Sequence, residues 1–100
     1  MAYEFGALEA TIAAAAGEDP VLLRELRDSF VNSVSRQVDL LSRARCDGNW
    51  HVSAMRIRGI AASFHAEALM ALAEEALDAA PGEPTVVRRL QGFVAELSTR

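Results

Sequence analysis

The chain has 100 residues, a formal net charge of −4 and a hydrophobic content of 51%, so we expect one domain with a single core. This acidic balance argues against a general nucleic-acid binder, because phosphate contacts require a basic surface. Only 6% of the residues are aromatic and alanine is abundant, which favours helices over strands. The expected fold class is therefore all-α.

Cysteine and histidine content excludes further classes of site. Cys46 is the only cysteine, so an internal disulfide cannot form, and one cysteine with two histidines makes a zinc site improbable. We expect Cys46 to be a small core residue at the end of a helix, and we expect no metal and no cofactor. The first four residues lack the basic segment of a signal peptide, and no apolar run approaches the roughly 18 residues of a membrane span. A cytoplasmic protein without a membrane partner is predicted.

The first two helices are predicted over residues 3–16 and 20–46. Asp19 is expected to cap the second helix, and Pro20 suits its first turn. Apolar residues at helical spacing predict which positions face the core. These are Phe5, Leu8, Ile12 and Ala15 in the first helix, and Leu22, Leu26, Phe30, Val34, Val38 and Leu41 in the second.

Residues 49–80 are too many for one helix in so small a domain, and we predict a break near His65, because histidine adopts positive φ more readily than most residues. Gly48 is expected to end the second helix and Asn49 to cap the third. A last helix is predicted over 84–98. The core positions are Trp50, Ser53, Ile57, Ile60, Ala61 and Phe64, then Leu69, Leu72, Ala76 and Leu77, then Val87, Leu90, Val94 and Leu97. Short connections predict an up-down antiparallel four-helix bundle with an additional short N-terminal helix.

One surface of the third helix differs from an ordinary solvated face. At about 100° per residue, Met55 lies opposite the core positions. Its neighbours there are small and apolar, and a mid-helix glycine costs roughly 1 kcal/mol relative to alanine. The candidate partner-binding residues, which we call the Met55 face, are His51, Val52, Met55, Arg56, Arg58, Gly59 and Ala62. Two explanations are open: a contact surface that a partner approaches closely, or a tight helix crossing at Gly59 with Met55 packed under the first helix.

Residues 54–69, Ala-Met-Arg-Ile-Arg-Gly-Ile-Ala-Ala-Ser-Phe-His-Ala-Glu-Ala-Leu, resemble a known family pattern. Histidine-containing phosphotransfer (HPt) domains carry Ala-His-x-Leu-Lys-Gly-x-Ala-x-x-x-Gly-Ala-x-x-Leu on their central helix. Asp-Gly-Asn-Trp at 47–50 resembles the turn before that helix, and Asp19-Pro20 resembles the start of the family's second helix. The resemblance covers about residues 5–97. It implies a helical bundle of a bacterial two-component phosphorelay, with a receiver domain or a histidine kinase as partner.

The chain departs from this pattern at two positions. Met55 stands where the family has its phosphoryl-accepting histidine, and a thioether is no phosphoryl nucleophile. His65 stands where the family has a helix-breaking glycine. The resemblance implies that a receiver domain brings its acidic aspartate pocket onto the Met55 face. Arg58, where the family has lysine, would lie near the phosphoryl group, and Gly59 would keep the approach open. We therefore predict a degenerate HPt protein with no catalytic residue at the usual position.

Two alternatives remain open. His51 lies one turn before Met55 and is a substitute acceptor, although it lacks the Arg-Gly pair in the usual register, and His65 is no better placed. The second alternative is a structural module that forms a homodimer. In that case Val52, Met55, Gly59 and Ala62 are the self-association surface.

Overall fold

The computed structural model of the protein describes residues 3–100, which form five α-helices. They are α1 (Gly6–Ala16), α2 (Pro20–Ser42), α3 (Asp47–Ser63), α4 (Glu67–Asp78) and α5 (Pro84–Ser98). This part of the chain contains no strand, which confirms the predicted all-α class. Across residues 3–100, none of the helices combines the length and the apolar character that a membrane crossing requires.

Two helices begin at carboxylate caps. The Asp19 side chain accepts hydrogen bonds from the backbone N–H groups of Val21 and Leu22, at 2.9 and 3.2 Å, and Pro20 is the first helical residue, as predicted. Glu83 caps α5 in the same way, accepting from Thr85 N–H at 2.7 Å. This second cap was not predicted from the sequence. The Thr85 amide stabilises the charged carboxylate and so lowers the pKa of Glu83.

The boundary between α2 and α3 differs from the prediction. α2 ends at Ser42 rather than near residue 46, and Gly48 lies inside the first turn of α3 instead of ending α2. The cap of α3 is Cys46, whose Sγ accepts from the Asn49 N–H at 3.4 Å. Because this cap position lies in the connecting loop, Cys46 is exposed. The predictions that Cys46 is a core residue and that Asn49 caps α3 are wrong.

The predicted break at His65 is confirmed. His65 has φ +56°, the Ala66 N–H donates to the Ala61 carbonyl at 2.8 Å, and the His65 N–H donates to the Ala62 carbonyl at 3.3 Å. This pair of bonds is a Schellman motif, which usually has glycine at the left-handed position. Ala61 and Ala66 are both buried, so the turn closes onto the core.

The helices pack in a defined order. α2 packs against α3 and α5, α4 packs against the same two helices, and α1 packs against α2. The centroid of the Phe30 ring in α2 lies 4.8 Å from that of the Phe64 ring at the end of α3. The end of α2 and the start of α3 are joined by the loop of residues 43–46. α2 and α3 are therefore antiparallel.

Most of the predicted core positions are buried, but some of those predicted in α1, α2 and α5 are not. Ala16 is buried instead of Ala15, and Leu22 is exposed because it lies beyond the end of α3. In α5 the buried residues are Val86, Leu90, Phe93 and Leu97. The remaining predicted core residues that are only partly buried, and that pack against the core, are Leu26, Ile60, Phe64, Leu77, Val87 and Val94.

Candidate partner-binding face on α3

A buried hydrogen bond sets the rotation of α3. The Trp50 indole Nε1–H donates to the Ala76 carbonyl at 2.8 Å, joining the first turn of α3 to the last turn of α4. Ile57 and Ala61 follow Trp50 on the same side of α3, and both are fully buried. The opposite side of α3 therefore faces outward.

The Met55 face is this outward side. Met55 is 39% exposed and Val52 is 44% exposed. Arg58 is half-buried, and the exposed members also include His51, Arg56, Gly59 and Ala62. Since α1 packs against α2 and Met55 remains exposed, the explanation that Met55 packs under the first helix is wrong.

Gly59 is not required by packing within the chain. A Cβ atom placed on Gly59 would have no heavy atom within 4 Å, so the explanation by a tight helix crossing is also wrong. Gly92 in α5 has the same open surroundings, which means that an open glycine alone does not define a binding surface. Gly59 differs from Gly92 because it follows Met55 by one helical turn. The open space at Gly59 therefore lies next to the exposed Met55 side chain.

The two arginines of the Met55 face are free of internal ion pairs. Among residues 3–100, the ion pairs are Arg27–Glu9, Arg43–Asp39, Arg89–Glu75 and Arg100–Glu9. In the described part of the chain, no carboxylate oxygen lies within 4 Å of a side-chain nitrogen of Arg56 or Arg58. Their charges are therefore available to an acidic partner, although the chain as a whole is acidic.

A groove next to the Met55 face was not predicted. We call it the α2–α3 groove; its volume is about 390 Å³. It is lined by Leu40, Arg43 and Ala44 on one side and by Asn49, Val52, Ser53 and Arg56 on the other. Leu40 and Val52 are exposed, so the groove presents two large apolar side chains among the polar residues Arg43, Asn49, Ser53 and Arg56. Helical spacing within α3 could not reveal it, because three of its seven lining residues come from the end of α2 and the loop.

The Met55 face offers no phosphoryl acceptor in register with Arg58. The Met55 thioether has no proton to exchange and is no phosphoryl acceptor. His51 is exposed, but it precedes Arg58 by seven residues, about 10 Å along a helix. The three-residue spacing between Met55 and Arg58 is not reproduced from His51. Within residues 3–100, no group of three or more His, Cys, Asp or Glu side chains is placed to hold a metal ion.

Comparison of the chain with family models, with curated proteins and with solved structures finds no match.

Proposed function

We propose that the chain is an HPt-like protein of a bacterial two-component phosphorelay. It binds a receiver domain or a histidine kinase through the Met55 face and does not carry phosphate at the usual position. In this proposal α2, α3, α4 and α5 form an up-down four-helix bundle, and α1 is an additional N-terminal helix. The mutual packing of α2 and α4 with both α3 and α5 supports this arrangement.

One observation carries the proposal: the open space at Gly59 lies beside exposed Met55 and unpaired Arg58. The stability lost by a mid-helix glycine, roughly 1 kcal/mol relative to alanine, is not offset by any contact within the described chain. A partner that comes close to the helix backbone there would account for a glycine at this position. The order Met55, Arg58, Gly59 matches the register of the phosphoryl-accepting histidine, the cation and the glycine in HPt domains.

The groups on this face suit an acidic partner surface. Arg58 attracts the carboxylates of a receiver pocket, and Met55 supplies apolar contact where a histidine would react. Because a thioether accepts no phosphoryl group, the complex forms without transfer at this position. Such a protein modulates a phosphorelay by occupying the receiver or the kinase.

The proposal is tested by titrating the protein with receiver domains and with the phosphorylated-histidine domains of kinases, using calorimetry. Arg58→Glu is expected to weaken binding at least tenfold, because it places a carboxylate opposite an acidic pocket. Arg88→Glu, at an exposed position in α5, is the matched control and is expected to leave the affinity unchanged. Absence of binding by the native protein, or equal losses in the two variants, overturns the proposal.

The alternative of phosphotransfer through His51 has its own test. The native protein and His51→Ala are incubated with a phosphorylated receiver domain, and acid-labile, base-stable label is measured. We expect no label on either protein. Label on the native protein that disappears in His51→Ala would replace the proposal of a protein without phosphotransfer.

A further inference from the structure

The large exposed apolar side chains fall into two groups. In the described part of the chain they are Val21, Leu22 and Leu23 in one group, and Leu40, Val52 and Met55 in the other. Leu22 and Leu40 lie on the same helix, 18 positions apart, which corresponds to about 27 Å. The longest dimension of the molecule is 43 Å, so the two groups lie toward opposite ends of it.

The first group lies at the end of the molecule where α3 and α5 end. Phe30 is level with the end of α3, since its ring contacts Phe64, and the Arg27 side chain donates to the Leu97 carbonyl in the last turn of α5 at 3.1 Å. Val21, Leu22 and Leu23 precede Arg27 on α2 and therefore lie near the ends of α3 and α5. Within the described chain, α1 is the helix that packs against this segment, and Leu23 lines a cavity of about 270 Å³ with Ile12 and Ala13. We call residues 12–26 the α1–α2 tip.

The two groups lie among charges of opposite sign. Around the tip, acidic side chains outnumber basic ones. The acidic residues are Glu18, Asp19, Glu25 and Asp28, and the basic residues are Arg24 and Arg27, of which Arg27 is already paired with Glu9. Around the α2–α3 groove, basic side chains outnumber acidic ones. The basic residues are Arg43, Arg45, Arg56 and Arg58, and the acidic residues are Asp39 and Asp47, of which Asp39 is paired with Arg43. The tip therefore presents apolar side chains with a net negative charge. The groove presents apolar side chains with a net positive charge.

We propose that the α1–α2 tip of one molecule docks into the α2–α3 groove of a second copy of this chain. Leu22 and Leu23 pack against Leu40 and Val52, while the acidic residues of the tip face Arg56. This contact is heterologous, because different surfaces of the two molecules meet. Each pair then retains one free tip and one free groove, so association continues to larger species unless a ring closes.

Docking of the tip also covers the start of the Met55 face. Val52 lines the groove and lies one turn before Met55, so the self-associated form competes with any other partner of this face. The self-association does not depend on the proposed function, because it involves only this chain. Its test requires no receiver domain and can fail or succeed independently.

The test uses two single variants and their mixture, followed by sedimentation velocity over a range of concentrations. Leu22→Glu alters the tip; it places a glutamate three residues after the Asp19 cap, a favourable position for helix formation. Val52→Glu alters the groove at an exposed position. The native protein is expected to form species larger than a dimer as concentration rises, and added salt is expected to reduce them. Each variant alone is expected to be monomeric, whereas the equimolar mixture forms heterodimers and nothing larger.

Several outcomes overturn this proposal. They are a monomeric native protein at every concentration, a mixture that remains monomeric, and a mixture that forms species larger than dimers. Leu22→Glu could also self-associate like the native protein while Val52→Glu is monomeric. That result indicates instead a symmetric dimer through the Met55 face. Far-UV circular dichroism of both variants checks that they are folded. Val21→Glu, at the most exposed large apolar side chain of the tip, is the substitute if Leu22→Glu is not folded.

Discussion

The Trp50 indole Nε1–H donates a 2.8 Å hydrogen bond to the backbone carbonyl of Ala76, and both residues are buried. This bond joins α3 to α4 across 26 positions of sequence. It also sets which side of α3 is turned inward. With Trp50 held against α4, Met55 and Gly59 lie on the outer surface. The Met55 face therefore depends on a contact on the opposite side of its own helix.

Trp50→Phe is expected to lower the free energy of unfolding by about 2 kcal/mol, because the Ala76 carbonyl loses its donor and a cavity opens beside it. Urea denaturation measures the change. The matched control is Tyr3→Phe, which removes an exposed hydrogen bond from the Tyr3 hydroxyl to the Arg89 carbonyl. We expect the control to cost under about 0.5 kcal/mol. Equal costs in the two variants would show that the Trp50 bond does not hold α3.

His65→Gly is expected to raise the free energy of unfolding by about 1 kcal/mol. His65 has φ +56°, where a residue with a Cβ atom is strained by roughly 1–2 kcal/mol and glycine is not; the greater freedom of glycine in the unfolded chain offsets part of the gain. His65→Ala is the control, since alanine retains the strain. Thermal denaturation of both variants gives the comparison. A gain in His65→Ala as large as in His65→Gly would contradict this explanation.

Gly59→Ala and Gly92→Ala are each expected to raise the free energy of unfolding by about 1 kcal/mol, because alanine is the better helix former and neither added Cβ meets an atom within 4 Å. Their effects on binding are expected to differ. Gly59→Ala weakens binding of a receiver domain or kinase to the Met55 face, and Gly92→Ala does not. Chemical denaturation and calorimetric titration measure the two properties. Equal affinities in both variants would remove the argument for close approach at Gly59.

The carboxylate cap of α5 predicts a pH-dependent effect. The Thr85 amide lowers the pKa of Glu83, so the charged form stabilises the fold above the ordinary glutamate pKa. This contribution is lost as pH falls through the lowered pKa. Glu83→Gln is therefore expected to lower Tm at neutral pH and to leave it unchanged once the carboxyl group is protonated. The control is Glu74→Gln, at an exposed position in the interior of α4; a difference from native that persists in acid would contradict the cap.

Local signals predicted those features that depend on neighbouring residues alone. The Asp19-Pro20 cap and the break at His65 follow from side-chain chemistry within one turn, and both are confirmed. The outward position of Met55 follows from helical spacing, because α3 is regular from Asp47 to Ser63. Its role in binding stays a prediction.

Features that depend on tertiary contact could not be predicted in this way. Leu22 belongs to the apolar stripe of α2 but is exposed, because it lies eight positions before Phe30, which is level with the end of α3. The α2–α3 groove requires Leu40 and Val52 to meet from two helices, and spacing along either helix does not show this. Cys46 was misplaced because a thiol serves as the helix cap where Asn49 was expected.

The most direct test of the proposed function is to restore the missing acceptor. Met55→His places an imidazole at an exposed position, where its nitrogen can attack the phosphorus of an aspartyl phosphate and release the carboxylate. Met55→His is incubated with a phosphorylated receiver domain that binds the native protein. It is expected to acquire a phosphoryl label that is lost in acid and stable in base. The native protein and Leu23→His, a control of similar exposure on α2, are expected to acquire none. An unlabelled Met55→His protein, or equal label on Leu23→His, would contradict an HPt-like docking face.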